Sequence, residues 1–314
     1  MKRLSRPVYT PVSVLDKKLL LRLSDNDPSL VRLIFSARNL GDPGVHALTR
    51  ALSTNTRLRE LDLCSNAIGP EGARCVAALL RRQTTRDMSG GGDVPGGTGG
   101  GAGAGGGLTT LALCDNALRD AGVAAVALAL ATNARLETLC IGDNFVGAAG
   151  VAMLAAALRS NATLTRLHIH HNSFQSLAPL ITCTFDKRSF DSVASSNHTL
   201  RHVFLNCGYS YECEELEAAL SMNRLGKAAA RRTKIALFLE EDLDRLLQMD
   251  LDSKLLPGVL GMLAQQGRVS TLFRVLKHLP SEMLAFGGLN NRHAFRADEP
   301  MEVRDPMDVD MKPV

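Results

Sequence analysis

The sequence predicts an α/β protein, a solenoid of repeated strand–turn–helix units with a helical C-terminal cap. Three observations predict it. Apolar residues recur at fixed spacing, and an asparagine recurs at a fixed place after them. Within each unit, apolar residues are two apart in the first half and four apart in the second half. The units start near residues 30, 58, 108, 136, 164 and 200. The predicted regions are an N-terminal cap (1–29), the repeats (30–222), a helical cap (223–286) and a disordered tail (287–314).

The clearest units are "LRELDLCSNAIGPEGARCVAALL" from Leu58, "LTTLALCDNALRDAGVAAVALAL" from Leu108 and "LETLCIGDNFVGAAGVAMLAAAL" from Leu136. Leucine or isoleucine occupies their first, fourth and sixth positions, asparagine the ninth and glycine the fifteenth. Alternation at the start predicts a short strand, and apolar pairs four apart after the glycine predict a helix. One unit cannot cover its own apolar faces, so neighbouring units must stack, with parallel strands joined by right-handed helical crossovers.

The outer units are less regular. The unit at Leu30 precedes Leu58 by 28 residues but has Arg38 at the asparagine position, and the unit at Leu200 has Gly208 there. The stretch "LDKKLLLRL" before the first unit and the amphipathic pattern after Met222 predict helices that cover the two ends.

Two segments interrupt the period. A glycine-rich segment, 86–107, has no "GK[ST]" and predicts a flexible insertion on the helix side rather than a phosphate-binding loop. A shorter insertion lies within "ITCTFDKRSFDSVASSNHT", where it is a modest candidate for binding. The run "KAAARRTK" favours the solvated face of a helix over a nuclear localisation signal.

The signature "L-x-x-L-x-L-x-x-N-x-L" closely resembles the leucine-rich repeat family, in particular its ribonuclease-inhibitor-like subtype. The resemblance implies a horseshoe with a concave parallel sheet and convex helices. It also implies that the repeated asparagines point inward and hold the turn after each strand. That role is carried over to Asn66, Asn116, Asn144 and Asn172, whereas Arg38 and Gly208 cannot perform it.

Composition limits the function classes. A formal charge of +4, spread along the chain, and 4% aromatic residues without tryptophan argue against nucleic acid. No apolar run is long enough to cross a membrane. Seven cysteines without a C-x-x-C pair favour a reducing compartment, the cytoplasm or the nucleus. We expect a monomer without a cofactor.

Histidines crowd the stretch "LTRLHIHHNSF" and recur in "LRHVFLNC". Strand alternation places His168, His170 and His202 on the concave face, with Cys140 beside them. Zinc is an alternative, but side chains on a curved sheet diverge and Asp143 is the one identifiable acid nearby. Catalysis by Cys140 and His168 lacks an oxyanion hole and a pocket. The favoured interpretation is an exposed binding face.

The sequence therefore predicts a non-enzymatic scaffold that binds a partner protein, one with an acidic or polar patch, through the concave face. The candidate binding residues are Arg59, Glu60, Asp62, Glu137, Thr138, Arg166, His168, His170, Arg201, His202 and Phe204. Binding is expected to strengthen below about pH 6.5, where histidine becomes charged. A mixed to basic face argues against a ribonuclease inhibitor, and a short, mildly acidic tail argues against the remaining alternative, a Ran-type GTPase-activating protein.

Overall fold

The computed structural model describes residues 15–89, 106–205 and 211–241, with side chains described as far as residues 83 and 238 in the first and last ranges. Within these ranges the chain is an α/β protein with one parallel sheet of six strands in the order β1-β2-β3-β4-β5-β6. The strands are β1 (Arg32–Ile34), β2 (Glu60–Asp62), β3 (Thr110–Ala112), β4 (Thr138–Cys140), β5 (Arg166–His168) and β6 (His202–Phe204). The predicted strand of every unit is present.

Helices connect the strands. They are α1 (Lys17–Ser24), α2 (Gly41–Ala51), α3 (Pro70–Ser89), α4 (Arg119–Leu130), α5 (Ala148–Ser160), α6 (Ala178–Thr184), α7 (Phe190–Ala194), α8 (Tyr211–Arg224) and α9 (Lys227–Glu241). A short 3-10 helix, Leu52–Thr54, follows α2. Each of α2 to α5 packs against the next, so helices and strands both contact their neighbours in chain order.

The core lies between the sheet and the helices. The middle residue of each of the first five strands is buried, as in Leu61 and Leu139, and the residues on either side are at least partly exposed. The helices contribute the predicted apolar pairs, for example Val126 and Leu130. Burial of these side chains is the main favourable contribution to folding.

The four asparagines that the resemblance singled out hold the turns between units. Asn116 accepts hydrogen bonds from the backbone N–H groups of Asn66 and Ile68, 3.0 and 2.9 Å away, and donates to the carbonyls of Leu63, Leu113 and Cys114. Asn66, Asn144 and Asn172 repeat this arrangement, each bridging its own turn and the preceding one. The turns that they hold contain left-handed residues other than glycine, such as Ser65 and Asp143.

A second asparagine ladder, which the sequence interpretation missed, lies where the chain enters each strand. Its members are Asn55, Asn133, Asn161 and Asn197, three residues before the first leucine of a unit. Each accepts from two backbone N–H groups that follow it in the chain, and each donates to a carbonyl of the preceding unit or, for Asn55, to the Leu23 carbonyl of α1. Before Leu108, where a glycine stands, the Gln83 side chain accepts from the Leu108 N–H instead.

The helix α3 continues to Ser89, so the helical segment extends past residue 86, the predicted start of the glycine-rich insertion. Residues 90–105 lie outside the described residues. Gly106 packs against Thr56, so closely that a Cβ at Gly106 would lie 2.3 Å from the Thr56 carbonyl oxygen. The second predicted insertion, within residues 181–199, contains the helix α7, which buries Phe190 and Val193.

At the C-terminal side, the run "KAAARRTK" lies on α9 with Lys227, Arg231 and Arg232 exposed, as expected of a solvated face, whereas Lys234 departs from that expectation. The Lys234 side chain is fully buried. Its ammonium donates to the carbonyl of Thr184, to the carbonyl of Asn197 at 2.9 Å and to Asn223 Oδ1 at 2.7 Å. Asn223 in turn donates to the carbonyls of Asn197 and Leu200.

The chain divides into two compact units, Met1–Phe238 and Leu239–Val314. The first contains the N-terminal helix α1, in which the Asp16 side chain accepts from the Leu19 N–H at 2.7 Å and Leu19 and Leu23 are buried. The predicted boundary at residue 223 differs from this division, because most of α9 belongs to the first unit. The remainder of the predicted cap, 242–286, and the predicted tail, 287–314, lie outside the described residues.

Candidate functional site

The exposed side chains of the sheet form two rows across the strands. The first residues of the strands pair in register, as Thr138 with Arg166 and Arg166 with His202. The third residues form the second row, in which Cys140 pairs with His168 and His168 with Phe204. Because strands in register are about 4.8 Å apart, side chains along a row contact one another. We call the surface made by both rows the exposed sheet face.

His168, His202 and Phe204 form an aromatic cluster on β5 and β6, here called the His–Phe patch. The rings of His168 and Phe204 stack with centroids 4.0 Å apart and an interplanar angle of 18°. The centroid of the His202 ring lies 6.2 Å from that of Phe204. Phe204 nevertheless keeps 45% of its surface exposed. The patch therefore presents apolar ring surface next to two imidazoles.

The pKa of His168 is lowered from its ordinary value, chiefly because partial burial disfavours the charged imidazolium. The nearby His170 and Arg166 lower it further, whereas Cys114 acts in the opposite direction. His168 is therefore neutral at pH 7 and takes up a proton at lower pH than a free histidine does.

His170 lies apart from the patch, after the end of β5. Its ring covers Gly142, where a Cβ would lie 2.5 Å from the imidazole, so a larger residue at this position would displace the His170 ring. His170 Nε2 is 3.5 Å from Asp143 Oδ2, and its ring meets that of His171 edge-on with centroids 5.3 Å apart. The structure thus brings His168 and His202 together around Phe204 and directs His170 towards an acid.

Acidic side chains on the early strands already have partners within the protein. Arg32 Nε and Glu60 Oε2 form a salt bridge of 2.8 Å between paired positions of β1 and β2. Asp62 accepts from the Ser36 hydroxyl at 2.7 Å and from the Cys64 N–H at 2.9 Å. The basic candidates therefore stand out at the later strands, where Arg166 is exposed beside His202.

Three predicted binding residues precede their strands. Arg59 directs its guanidinium to the carbonyls of Thr56 and Gly107, 3.3 and 2.9 Å away. Glu137 is exposed and its backbone carbonyl accepts from the N–H groups of Thr165 and Arg166. Arg201 is also exposed, and its carbonyl accepts from Arg224 Nε at 3.3 Å. These residues border the exposed sheet face at the strand entries instead of lying in its two rows.

The structure shows a further group that the sequence interpretation did not recognise, the thiols of Cys64, Cys114 and Cys140. The Cys114 thiol lies next to the other two and interacts with both. Cys64 and Cys114 occupy the same position of neighbouring units, which is the signal that would have found them. All three are free cysteines, as are Cys75 and Cys183, whereas Cys213 is disulfide-bonded.

In the described part of the chain, no group of three or more histidine, cysteine, aspartate or glutamate side chains is arranged to hold a metal ion. The zinc alternative therefore gains no support from the placement of His168, His170, His202 and Cys140. Over the same part of the chain, no helix is sufficiently long and apolar to span a bilayer.

Neither the known family models nor the curated proteins include a match to this chain. Among solved structures, leiomodin-1 actin-binding site 2 is similar with a TM-score of 0.41 and 15% identity, over 72% of this chain and 99% of that one. The tropomodulin C-terminal domain of Caenorhabditis elegans gives 0.38 and 11%, over 66% and 92%. At these scores neither neighbour identifies a partner for this chain.

Proposed function

We propose that this chain is a non-enzymatic leucine-rich repeat scaffold of solenoid shape that binds a partner protein on its exposed sheet face. The observation that carries the proposal is the His–Phe patch, in which Phe204 is stacked on His168 and yet 45% exposed. Aromatic and arginine side chains held in place before binding contribute most of the energy of protein interfaces. Here the stack holds the phenyl ring, and Arg166 pairs with His202 of the same patch.

The charges around the His–Phe patch indicate which chemical groups a partner would present. Glu60 is already paired with Arg32, and Asp62 accepts hydrogen bonds from the Ser36 hydroxyl of the preceding unit and from the Cys64 N–H of its own turn. On the later strands Arg166 and Arg201 are exposed. A partner segment that places an apolar side chain on Phe204 and carboxylates opposite the arginines is complementary to this surface.

The interaction is expected to depend on pH through His168. Its pKa is lowered in the free protein by burial, and a carboxylate of the partner would raise it. Affinity should therefore increase as the pH falls below about 6.5 and decrease as the pH rises through the pKa of the complex. A variant in which both histidines of the His–Phe patch are replaced, His168→Asn with His202→Asn, should lose this pH dependence.

Affinity purification with three proteins tests the proposal. They are the wild type, a double variant Arg166→Glu with Phe204→Ala, and the control Leu128→Ala, which removes an apolar side chain that is 59% exposed on α4. We expect a partner that the wild type and the control recover and the double variant loses. Circular dichroism establishes that all three are folded. If all three recover the same proteins, the exposed sheet face is not the binding surface.

The two alternative functions, zinc binding and GTPase activation, have less support. A zinc-binding function has no ligand cluster among the residues that the structure describes. A Ran-type GTPase-activating function rests on the resemblance of the repeats alone.

A further inference from the structure

Three thiols lie next to one another on the exposed sheet face. Cys64 follows β2, Cys114 follows β3 and Cys140 ends β4. The register that pairs Asp62 with Ala112 continues to Cys64 and Cys114, since the Leu63 N–H donates to the Ala112 carbonyl and the Ser65 N–H to the Cys114 carbonyl. Cys140 instead pairs with Ala112, two residues before Cys114.

The thiol of Cys114 is hydrogen-bonded to the thiols of both Cys64 and Cys140. Paired residues of neighbouring strands have Cα atoms about 4.8 Å apart, within the range of about 4.4–6.8 Å that a disulfide spans. Cys64 and Cys114 satisfy this condition by their register, whereas Cys140 is displaced along the strand. All three side chains are partly exposed, so a small reagent can reach them.

The surroundings favour ionisation of one of the three thiols. Hydrogen bonds from the neighbouring thiols and from the Gly142 N–H, together with the nearby His170, lower the pKa of Cys114 although burial opposes them. The pKa of Cys64 is raised by its contact with Cys114, by burial and by Asp62. A partly exposed thiol with a lowered pKa, next to a second thiol on the paired strand, is the arrangement found in redox-sensitive proteins.

We propose that Cys114 and Cys64 form a redox-modification site, at which a peroxide converts the two thiols into a disulfide between neighbouring strands. The Cys114 sulfur attacks one oxygen of hydrogen peroxide and the O–O bond breaks. The leaving hydroxide combines with the proton that the Cys114 thiol released, giving water and a sulfenic acid on Cys114. Cys64 then attacks the Cys114 sulfur as its own proton passes to the departing hydroxyl, which leaves as a second water. Two thiols are oxidised and one peroxide is reduced.

This site is separate from the His–Phe patch but lies on the same surface. Cys140, the third thiol, pairs with His168 across β4 and β5. The proposal therefore stands whether or not a partner protein binds at the patch.

Peptide mapping tests the proposal on the full chain. Trypsin places the three thiols on separate peptides, because cleavage sites separate them: Arg59, Arg74, Arg86, Arg119, Arg135 and Arg159. The reduced protein is treated with one equivalent of hydrogen peroxide, blocked with iodoacetamide, digested and analysed by mass spectrometry. We expect a cross-link between peptides 60–74 and 87–119. A cross-link from Cys114 to Cys140 alone, or no cross-link, overturns the assignment.

Variants separate the roles of the two thiols. Cys64→Ser should accumulate a sulfenic acid on Cys114, which dimedone traps, and Cys114→Ser should abolish the rapid reaction. Cys75→Ser on α3 is the matched control, because burial raises the pKa of that thiol, and it should react as the wild type does. In the wild type, iodoacetamide at pH 6.5 should modify Cys114 about ten times faster than Cys75. Equal rates would contradict the proposal, and thermal melts establish that each variant is folded.

Discussion

Asparagine serves two different purposes in each unit, and both depend on its ability to donate and accept at once. At the ninth position, Asn116 joins the N–H groups of one turn to the carbonyls of two. Three residues before the strand, Asn161 joins its own unit to Leu130 and Asn133 of the unit before. A side chain that only donates or only accepts leaves some of these buried backbone groups without a partner.

Replacing Asn116 with alanine should lower the free energy of unfolding by about 2–4 kcal/mol, since buried N–H and C=O groups lose their partners. Urea unfolding followed by circular dichroism measures the change. Gln175→Ala, which removes an exposed amide, is the control and should change stability by less than about 0.5 kcal/mol. An Asn116→Ala protein as stable as the control would show that water replaces the lost contacts.

His198 makes stability depend on pH. It is buried, and burial together with the nearby Lys234 lowers the pKa to about 4; Arg231 and Lys227 act in the same direction, whereas a contact with the Ala194 carbonyl opposes them. The unfolded chain binds a proton near pH 6.5 and the folded protein only near pH 4, so stability decreases as the pH falls through this window. His198→Gln should remove part of that decrease, measured as the shift in urea midpoint between pH 7 and pH 5. An unchanged shift would assign the decrease to other groups.

At the scale of the elements, the helix α9 completes the series of units. Asn223 on α8 is the next member of the entry ladder, since it donates to the carbonyls of Asn197 and Leu200. Lys234 donates to Asn223 Oδ1, where backbone N–H groups donate to the earlier asparagines, so the ladder ends on a lysine supplied by a helix.

Lys234→Met keeps the length of the side chain but removes the donor to the Thr184 carbonyl and to Asn223 Oδ1, while the Asn197 carbonyl keeps its hydrogen bond from Asn223. We expect a loss of about 3 kcal/mol in unfolding free energy, measured by chemical denaturation. Arg231→Met, at an exposed position of the same helix, should have little effect. Equal effects of the two substitutions would mean that α9 contributes by its apolar contacts alone.

The units themselves could be predicted because their signals are local. Alternation around Leu61 and the four-residue spacing of Val126 and Leu130 each depend on a few neighbouring residues. The burial of Lys234 could not be predicted from the sequence, because its acceptors lie on three other segments and a charged side chain is expected to be exposed. The stack of His168 on Phe204 depends on rotamers and register, which composition does not determine.

At the scale of the whole molecule, the order in which the strands pair predicts which strands are most stable against local opening. Strands β3 and β4 have paired strands on both sides, whereas β1 and β6 have one each. In an array of units that contact only their neighbours, the ends open first.

Hydrogen exchange followed by mass spectrometry should therefore show slower exchange at the amides of β3 and β4 than at those of β1 and β6, by about tenfold or more. Uniform protection across the six strands would indicate that the described sheet unfolds as a single cooperative unit. The Lys234→Met variant provides an internal check, since it should accelerate exchange at β6 before β3.

The pairing of β2 with β3 has a practical consequence. Fifty residues separate Leu61 from its partner Leu111, compared with 28 between Leu111 and Leu139, yet the register is the same at both junctions. The Gln83 side chain accepts the hydrogen bond from the Leu108 N–H that an asparagine accepts in the other units. The register of these two strands is therefore kept despite an insertion between them. We expect a fluorescent protein or an immobilisation tag inserted within residues 90–105 to leave the sheet intact and both termini available for other fusions.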